Sequence, residues 1–182
     1  MDTIIINRKF QVSGFKLVLS KLNLESGTKQ GANAPFFMTN HFQITSASDS
    51  DLSLIIQGIK ELTLDDIDLK REQFLVAKVG TKVIGFGRIK VYPDALELCS
   101  LGVLPEYRGR GIGKELVNEL IKKANRQAIF VVCIIPDFFR RFGFEATHIY
   151  PDSLKVKINY CTGTLGGCDD GQEYVVMRKN VV

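Results

Sequence analysis

The stretch Val103-Leu-Pro-Glu-Tyr-Arg-Gly-Arg-Gly-Ile-Gly113 constrains this chain more than any other, because it joins a strand to an amphipathic helix through a loop suited to an anion. Ahead of it, Ala95 to Val103 reads as a strand. Behind it, Ile112, Leu116, Val117, Leu120, Ile121 and Ala124 recur at helical spacing and leave Lys114, Glu115, Asn118, Glu119, Lys122 and Lys123 for solvent. A helix is therefore expected to begin near Gly111. Its first amides lack intrahelical partners and carry the positive end of the macrodipole. Gly109, Gly111 and Gly113 have no side chains to hold a phosphate off the backbone, so the loop can cradle a pyrophosphate.

Two commoner phosphate loops do not fit. A dinucleotide fingerprint counted from Gly109 and Gly111 needs a third glycine where Lys114 stands, and a Walker loop needs Ser or Thr where Glu115 follows Gly113-Lys114. The pattern that fits is Arg or Gln, two residues, Gly, one residue, Gly or Ala, supplied by Arg108, Gly111 and Gly113. With Val103 and Pro105 in register ahead of it, the segment resembles motif A of the GNAT superfamily of acetyl-CoA-dependent N-acetyltransferases. The resemblance implies an α/β (α+β) fold, with a mixed central sheet flanked by helices.

The rest of the chain is organised to match. Residues 1–40 read as an N-terminal extension, and 41–182 as the GNAT domain. Phe42 to Thr45 is a strand, and Ser48 with Asp51 forms a capping box that opens a helix through Leu52, Ile55, Ile56 and Ile59. Phe74 to Val79 and Lys82 to Val91 flank the hairpin connection Gly80-Thr81, and Pro93-Asp94 turns the chain into the motif strand. Ala128 to Ile135 is an apolar, β-branched run, expected as a buried strand parallel to the motif strand. Pro136 to Phe142 is a short helix closed by Gly143, and Phe144 starts another strand. Ser153 to Tyr160 and Gln172 to Arg178 read as closing strands joined by a loop holding Gly163, Gly166, Gly167 and Gly171.

Asp137 to Phe144 resembles GNAT motif B, which extends the likeness over roughly residues 42–160. One departure stands out. Many family members carry a tyrosine at the second aromatic position, where its hydroxyl can protonate the departing thiolate; this chain has Phe139. The resemblance implies that the thioester lies against Leu101, Gly102 and Val103, in a strand interrupted by a bulge, with the Val103 amide on its carbonyl oxygen. The backbone from Arg108 through Gly109, Arg110, Gly111, Ile112 and Gly113 to Lys114 holds the pyrophosphate, and Phe139 forms a wall of the cofactor site. Glu97 is the candidate catalytic proton acceptor. Alternation puts it on one strand face with Cys99, Leu101 and Val103, and it precedes Arg108 at the spacing of the glutamate in the histone acetyltransferases that the motif resembles. A solvated or salt-bridged strand carboxylate is the competing reading.

Composition bounds the partners. The 182 residues, 45% hydrophobic, suit one packed domain, and a net charge of +4 is too modest to argue for nucleic acid. The longest apolar run, Ala128 to Ile135, is too short to cross a bilayer, so no membrane is expected and a cytoplasmic location follows. Cys99 and Cys133 read as buried small hydrophobes. Cys161 and Cys168 lack zinc-site spacing and read as reduced loop thiols, so no metal is expected. The partners are acetyl-CoA and an amine acceptor, with a homodimer left open. A weaker likeness to small N-acetylglutamate-synthase-like enzymes implies an amino acid whose carboxylates meet Arg88, Arg140 or Arg141; peptide N-termini, lysine side chains and polyamines are the other options. The alternative class is a non-catalytic acetyl-CoA-binding regulatory or interaction module.

Overall fold

A computed structural model describes residues 42–124, 128–161 and 172–181. In chain order its elements are β1 (Gln43–Ser46), α1 (Asp49–Glu61), β2 (Phe74–Val79), β3 (Lys82–Val91), β4 (Leu96–Val103), α2 (Ile112–Lys123), β5 (Ala128–Cys133), α3 (Pro136–Arg140), β6 (Glu145–Ala146), α4 (Asp152–Cys161) and β7 (Val175–Asn180). The strands form one sheet in the order β1-β2-β3-β4-β5-β7-β6. Only β4 and β5 run parallel; every other neighbouring pair is antiparallel. This is the mixed sheet flanked by helices that the sequence leads one to expect.

Local chemistry sets the element ends. The Ser48 amide donates to the Asp51 carboxylate at 2.7 Å, which closes the capping box of α1. Gly80, at φ 58°, makes the tight β2-β3 turn, and Gly143, at φ 78°, follows α3 in the left-handed conformation that ends a helix. Both faces of the sheet are covered. Leu116, Val117 and Leu120 of α2, with Phe138 and Phe139 of α3, pack on Leu98, Leu101, Ile129 and Val131. Across the sheet, Ile55 and Ile59 of α1 pack on Phe74, Val76 and Phe86, while Leu154 of α4 packs on Phe130 and Val176.

One expected element is corrected. Ser153 to Tyr160 lies in helix α4, not in a strand. Leu154, Val156 and Ile158 alternate with polar residues, yet Val156 is 62% exposed whereas Leu154 is fully buried. The face turned inward is Leu154, Lys157, Ile158 and Cys161, which is helical spacing with a lysine inside it. The Pro151 carbonyl accepts from the Leu154 and Lys155 amides and starts the first turn. The expected extension 1–40, His41, and the glycine-rich loop with Cys168 lie outside the described residues.

Candidate active site

The strands β4 and β5 pair only at Leu96–Ile129 and Glu97–Phe130; beyond these, no pairing joins them. Here a cleft of 610 Å³ opens between α1 and α4, lined by Leu98, Ser100, Leu101, Val131 and Val132, with Phe139 reaching it from the α3 side. Phe139 is fully buried and edge-on to Phe138 and Phe144 at centroid distances of 5.1 and 5.7 Å.

The motif strand contains its bulge one residue earlier than the thioester segment. Arg88 pairs with Cys99 and Phe86 with Gly102, so Ser100 and Leu101 together oppose Gly87, and Ser100 takes φ 48°. The extra residue reverses the alternation. Leu98, Leu101 and Val103 face α2, while Glu97 and Cys99 cluster with Asp65 on the opposite face; the expected shared face of Glu97, Cys99, Leu101 and Val103 does not exist. Gly102 owes its missing side chain to packing: a Cβ there would lie 2.6 Å from Leu62 Cδ1 and 3.0 Å from Phe86 Cζ.

At the strand's end the Leu104 amide donates to Ile84 O at 3.0 Å, which makes Ile84–Leu104 the hydrogen-bonded pair and Gly85–Val103 the non-hydrogen-bonded one. The Val103 N–H therefore points away from β3, toward the splay. The Arg108 Nε donates to Val103 O at 3.1 Å and the Arg108 amide to Pro105 O at 3.3 Å, so this arginine shapes the loop from within. Gly109 and Gly111 take φ 74° and 77°, and no atom lies within 4 Å of where their Cβ would be. Their requirement is backbone conformation, with open space in front. The first intrahelical bond of α2 is Glu115 N to Gly111 O, which leaves the amides of Ile112, Gly113 and Lys114 as the helix's unclaimed first-turn donors. Arg110 reaches Glu106 O at 3.1 Å and stacks on Tyr107.

Glu97 is fully buried. It accepts from Tyr92 Oη at 3.0 Å and from Lys157 Nζ at 2.5 Å, and Lys157 also bridges to Asp65 at 2.9 Å. Burial alone would lower the Lys157 ammonium's pKa, but Glu97, Cys99 and Asp65 outweigh it and hold the pKa well above its usual value. Asp65 is the mirror case: burial would raise it, yet Lys157, the Ile67 amide and Lys90 keep it low. Burial and the Glu97 charge push the Tyr92 hydroxyl well up, and burial first, then Glu97, pushes the Cys99 thiol up to about 11. The Asp65, Glu97 and Cys99 ligand atoms lie within 4.8 Å of one another, a spacing a metal could use, but the Lys157 ammonium already sits on both carboxylates.

Arg88 is not available to an acceptor's carboxylate. It is fully buried, and its donors are spent on Ser100 Oγ, Gln73 Oε1 and the carbonyls of Asp65, Ile67 and Asp68, so it clamps the 65–68 loop over the cleft. Arg140 pairs with Asp137 on the surface. Tyr92, Asp65, Lys90 and Lys157 were missed from sequence. Counting the hairpin back from Pro93-Asp94 could have found two of them, since Tyr92 N donates to Ala95 O and Lys90 then stands opposite Glu97.

Residues 43–144 match the acetyltransferase (GNAT) family. The chain belongs to that family. An uncharacterized N-acetyltransferase of Chlorobaculum tepidum is 36% identical over 76 residues, 40% of this chain and 49% of that protein. Among solved structures, N-acetylglutamate synthase from Neisseria gonorrhoeae, complexed with coenzyme A and N-acetyl-glutamate, superposes with a TM-score of 0.63 at 16% identity, covering 78% of this chain and 35% of that one. The Mycobacterium tuberculosis protein Rv2747, in complex with CoA, gives 0.58 at 23% identity, covering 77% and 99%. The GNAT chain thus spans about half of the curated relative and a third of the synthase, and the structural likeness is one of fold.

Proposed function

We propose that this GNAT protein is an acetyl-CoA-dependent N-acetyltransferase that moves an acetyl group to the primary amine of a small molecule by direct transfer. The observation that carries the reading is the splay of β4 from β5 above an open cleft, with the open-faced glycine loop at its end. In this reading the amides of Ile112, Gly113 and Lys114 bind the pyrophosphate, helped by the turn through Arg108, Gly109, Arg110 and Gly111. The thioester lies along Leu101, Gly102 and Val103. The Val103 N–H, directed out of the β3 ladder, donates to the carbonyl oxygen as charge develops there, a contact worth about 3 kcal/mol in such sites. The amine nitrogen forms the new C–N bond, the C–S bond breaks, and the amine's proton passes to Glu97 directly or through water. Phe139 walls the cofactor side and supplies no proton; Tyr92 is the hydroxyl nearest Glu97.

A second reading, acetyl-CoA binding without turnover, draws support from Phe139 and from the occupation of Glu97 by Lys157 and Tyr92. Thiol release from acetyl-CoA across a panel of amines separates the two. Turnover on any of them establishes the enzyme, and tight binding with no turnover on all of them establishes the module.

A further inference from the structure

Lys90 is a buried cation that makes no direct ion pair among the described residues, although its charge helps hold the Asp65 carboxyl low. It is 6% exposed, lines the cleft, and stands directly across the β3-β4 ladder from Glu97. Its Nζ donates to Ile67 O at 3.1 Å and lies 5.2 Å from the centre of the Tyr92 ring. Among the described residues no Asp or Glu oxygen forms an ion pair with it. Burying a charge without a direct ion-pair partner is far costlier than burying a neutral polar group, and a ligand that brings an anion into contact with it recovers part of that cost.

The charges around the cleft floor do not cancel. Arg88, Lys90 and Lys157 are positive; Asp65 and Glu97 are negative; the Tyr92 hydroxyl and the Cys99 thiol stay protonated. Arg88 has spent its donors on the 65–68 loop and on Ser100, and Lys157 bridges both carboxylates, so of the three cations Lys90 is the one that makes no direct ion pair. Lys60 and Asp66, both exposed at the mouth, offset one another.

We propose that Lys90, with Lys157 on the same Glu97, is the subsite for a carboxylate carried by the acceptor, so that the acceptor is a small amine of the α-amino acid class. The inference rests on the acetyltransferase reading and narrows it. Direct cross-strand partners lie about 5 Å apart at Cβ, so a carboxylate held at Lys90 keeps the acceptor's amine near Glu97, which is fully buried and takes the proton through water. A polyamine or a lysine side chain brings only further positive charge to a floor that already has too much. Ile67 and Val156, 53% and 62% exposed on the cleft lining, offer apolar cover to the rest of the molecule.

The test compares L-alanine, L-leucine and L-glutamate with their α-carboxamides in acetyl-CoA-dependent thiol release by the full chain. Lys90→Met is expected to lower the acid-to-amide ratio of kcat/KM by about tenfold or more, through a higher KM for the acids, while Lys90→Arg keeps most of it. Lys90→Met removes a buried charge that makes no direct ion pair and loses one hydrogen bond to the Ile67 carbonyl, so its melting temperature should stay close to the parent's. A ratio unchanged in Lys90→Met overturns the subsite. Should the parent turn over none of these amines, calorimetric titration with the same acids decides the subsite by itself. Binding of an acid that Lys90→Met abolishes upholds it, and no binding to the parent overturns it; the missing turnover then counts against the acetyltransferase reading alone.

Discussion

Lys157 Nζ lies 2.5 Å from Glu97 Oε1, although the two residues are 60 positions apart, one on α4 and the other on β4. With the Lys157–Asp65 contact on one side and the Tyr92 hydroxyl on the other, this pair closes a chain of polar contacts from the 65–68 loop to α4 across the cleft. Glu97, the proposed proton acceptor, is therefore also part of a strut that holds the cleft's two walls together.

Glu97→Gln keeps the shape of the strut and removes its charge. If Glu97 accepts the amine's proton, kcat/KM should fall about a hundredfold, most steeply below the acceptor amine's pKa, where a base is most needed. A pH–rate profile checks this. A profile parallel to the parent's would take Glu97 out of the mechanism and leave it with the strut alone.

Lys157→Met withdraws the cation from two buried carboxylates, and it should cost about 3–5 kcal/mol at neutral pH. The sign of its pH dependence follows from Asp65. A carboxyl held below its unfolded pKa adds stability that is present above that pKa and is lost as pH falls through the folded value. Without Lys157 that contribution is gone, so the gap between parent and variant should be widest near neutrality and should narrow below about pH 4. Lys157's own raised pKa works at the other end, its share of stability vanishing only as pH climbs through the elevated value. Urea unfolding at a series of pH values reads the gap, and a gap constant from acid to neutral pH contradicts the electrostatic account.

What the sequence revealed was whatever repeats on a local period. The α2 stripe, the Ser48–Asp51 capping box and the Gly80-Thr81 hairpin depend on near neighbours, and each lies where its spacing puts it. The parallel β4-β5 pair and the loop at Gly109 and Gly111 were equally readable. Two features broke the periods. Ser100 at φ 48° inserts one residue into β4, and no side-chain pattern announces a serine in that conformation, so every face assignment beyond it was reversed. Lys157 replaces an apolar residue on the inward face of α4, which erased the helical stripe and left an alternation that looked like a strand. Both lie at the cleft, where long-range contacts with Asp65, Arg88 and Glu97 outweigh local preference.

The bulge can be tested through its own side chain. Ser100 Oγ accepts from Arg88 Nε at 3.0 Å and donates to Asp65 O at 2.7 Å, so Ser100→Ala leaves a fully buried guanidinium donor unmatched. The expected loss is about 1–3 kcal/mol in equilibrium unfolding. Ser100→Gly loses the same hydroxyl but relieves the positive φ, and should be the milder change. If both variants are as stable as the parent, the hydroxyl does not hold the 65–68 loop.

Gly111 separates conformation from space. At φ 77° it caps α2 in the left-handed region, and a Cβ there would touch nothing within 4 Å, so a side chain strains the backbone without colliding with the protein. Gly111→Val should cost about 1–2 kcal/mol in stability, because a β-branched residue resists that region, whereas Gly111→Asn should cost less, since asparagine visits it readily. Coenzyme A affinity should follow a different order. If the pyrophosphate sits at this loop, a side chain at Gly111, which meets only open space, should crowd it, so both variants should bind the nucleotide at least about tenfold more weakly in calorimetric titration. Weakened binding in Gly111→Asn with little loss of stability would locate the pyrophosphate at this loop. Binding that tracks stability alone, or does not change, would mean that the diphosphate is gripped elsewhere.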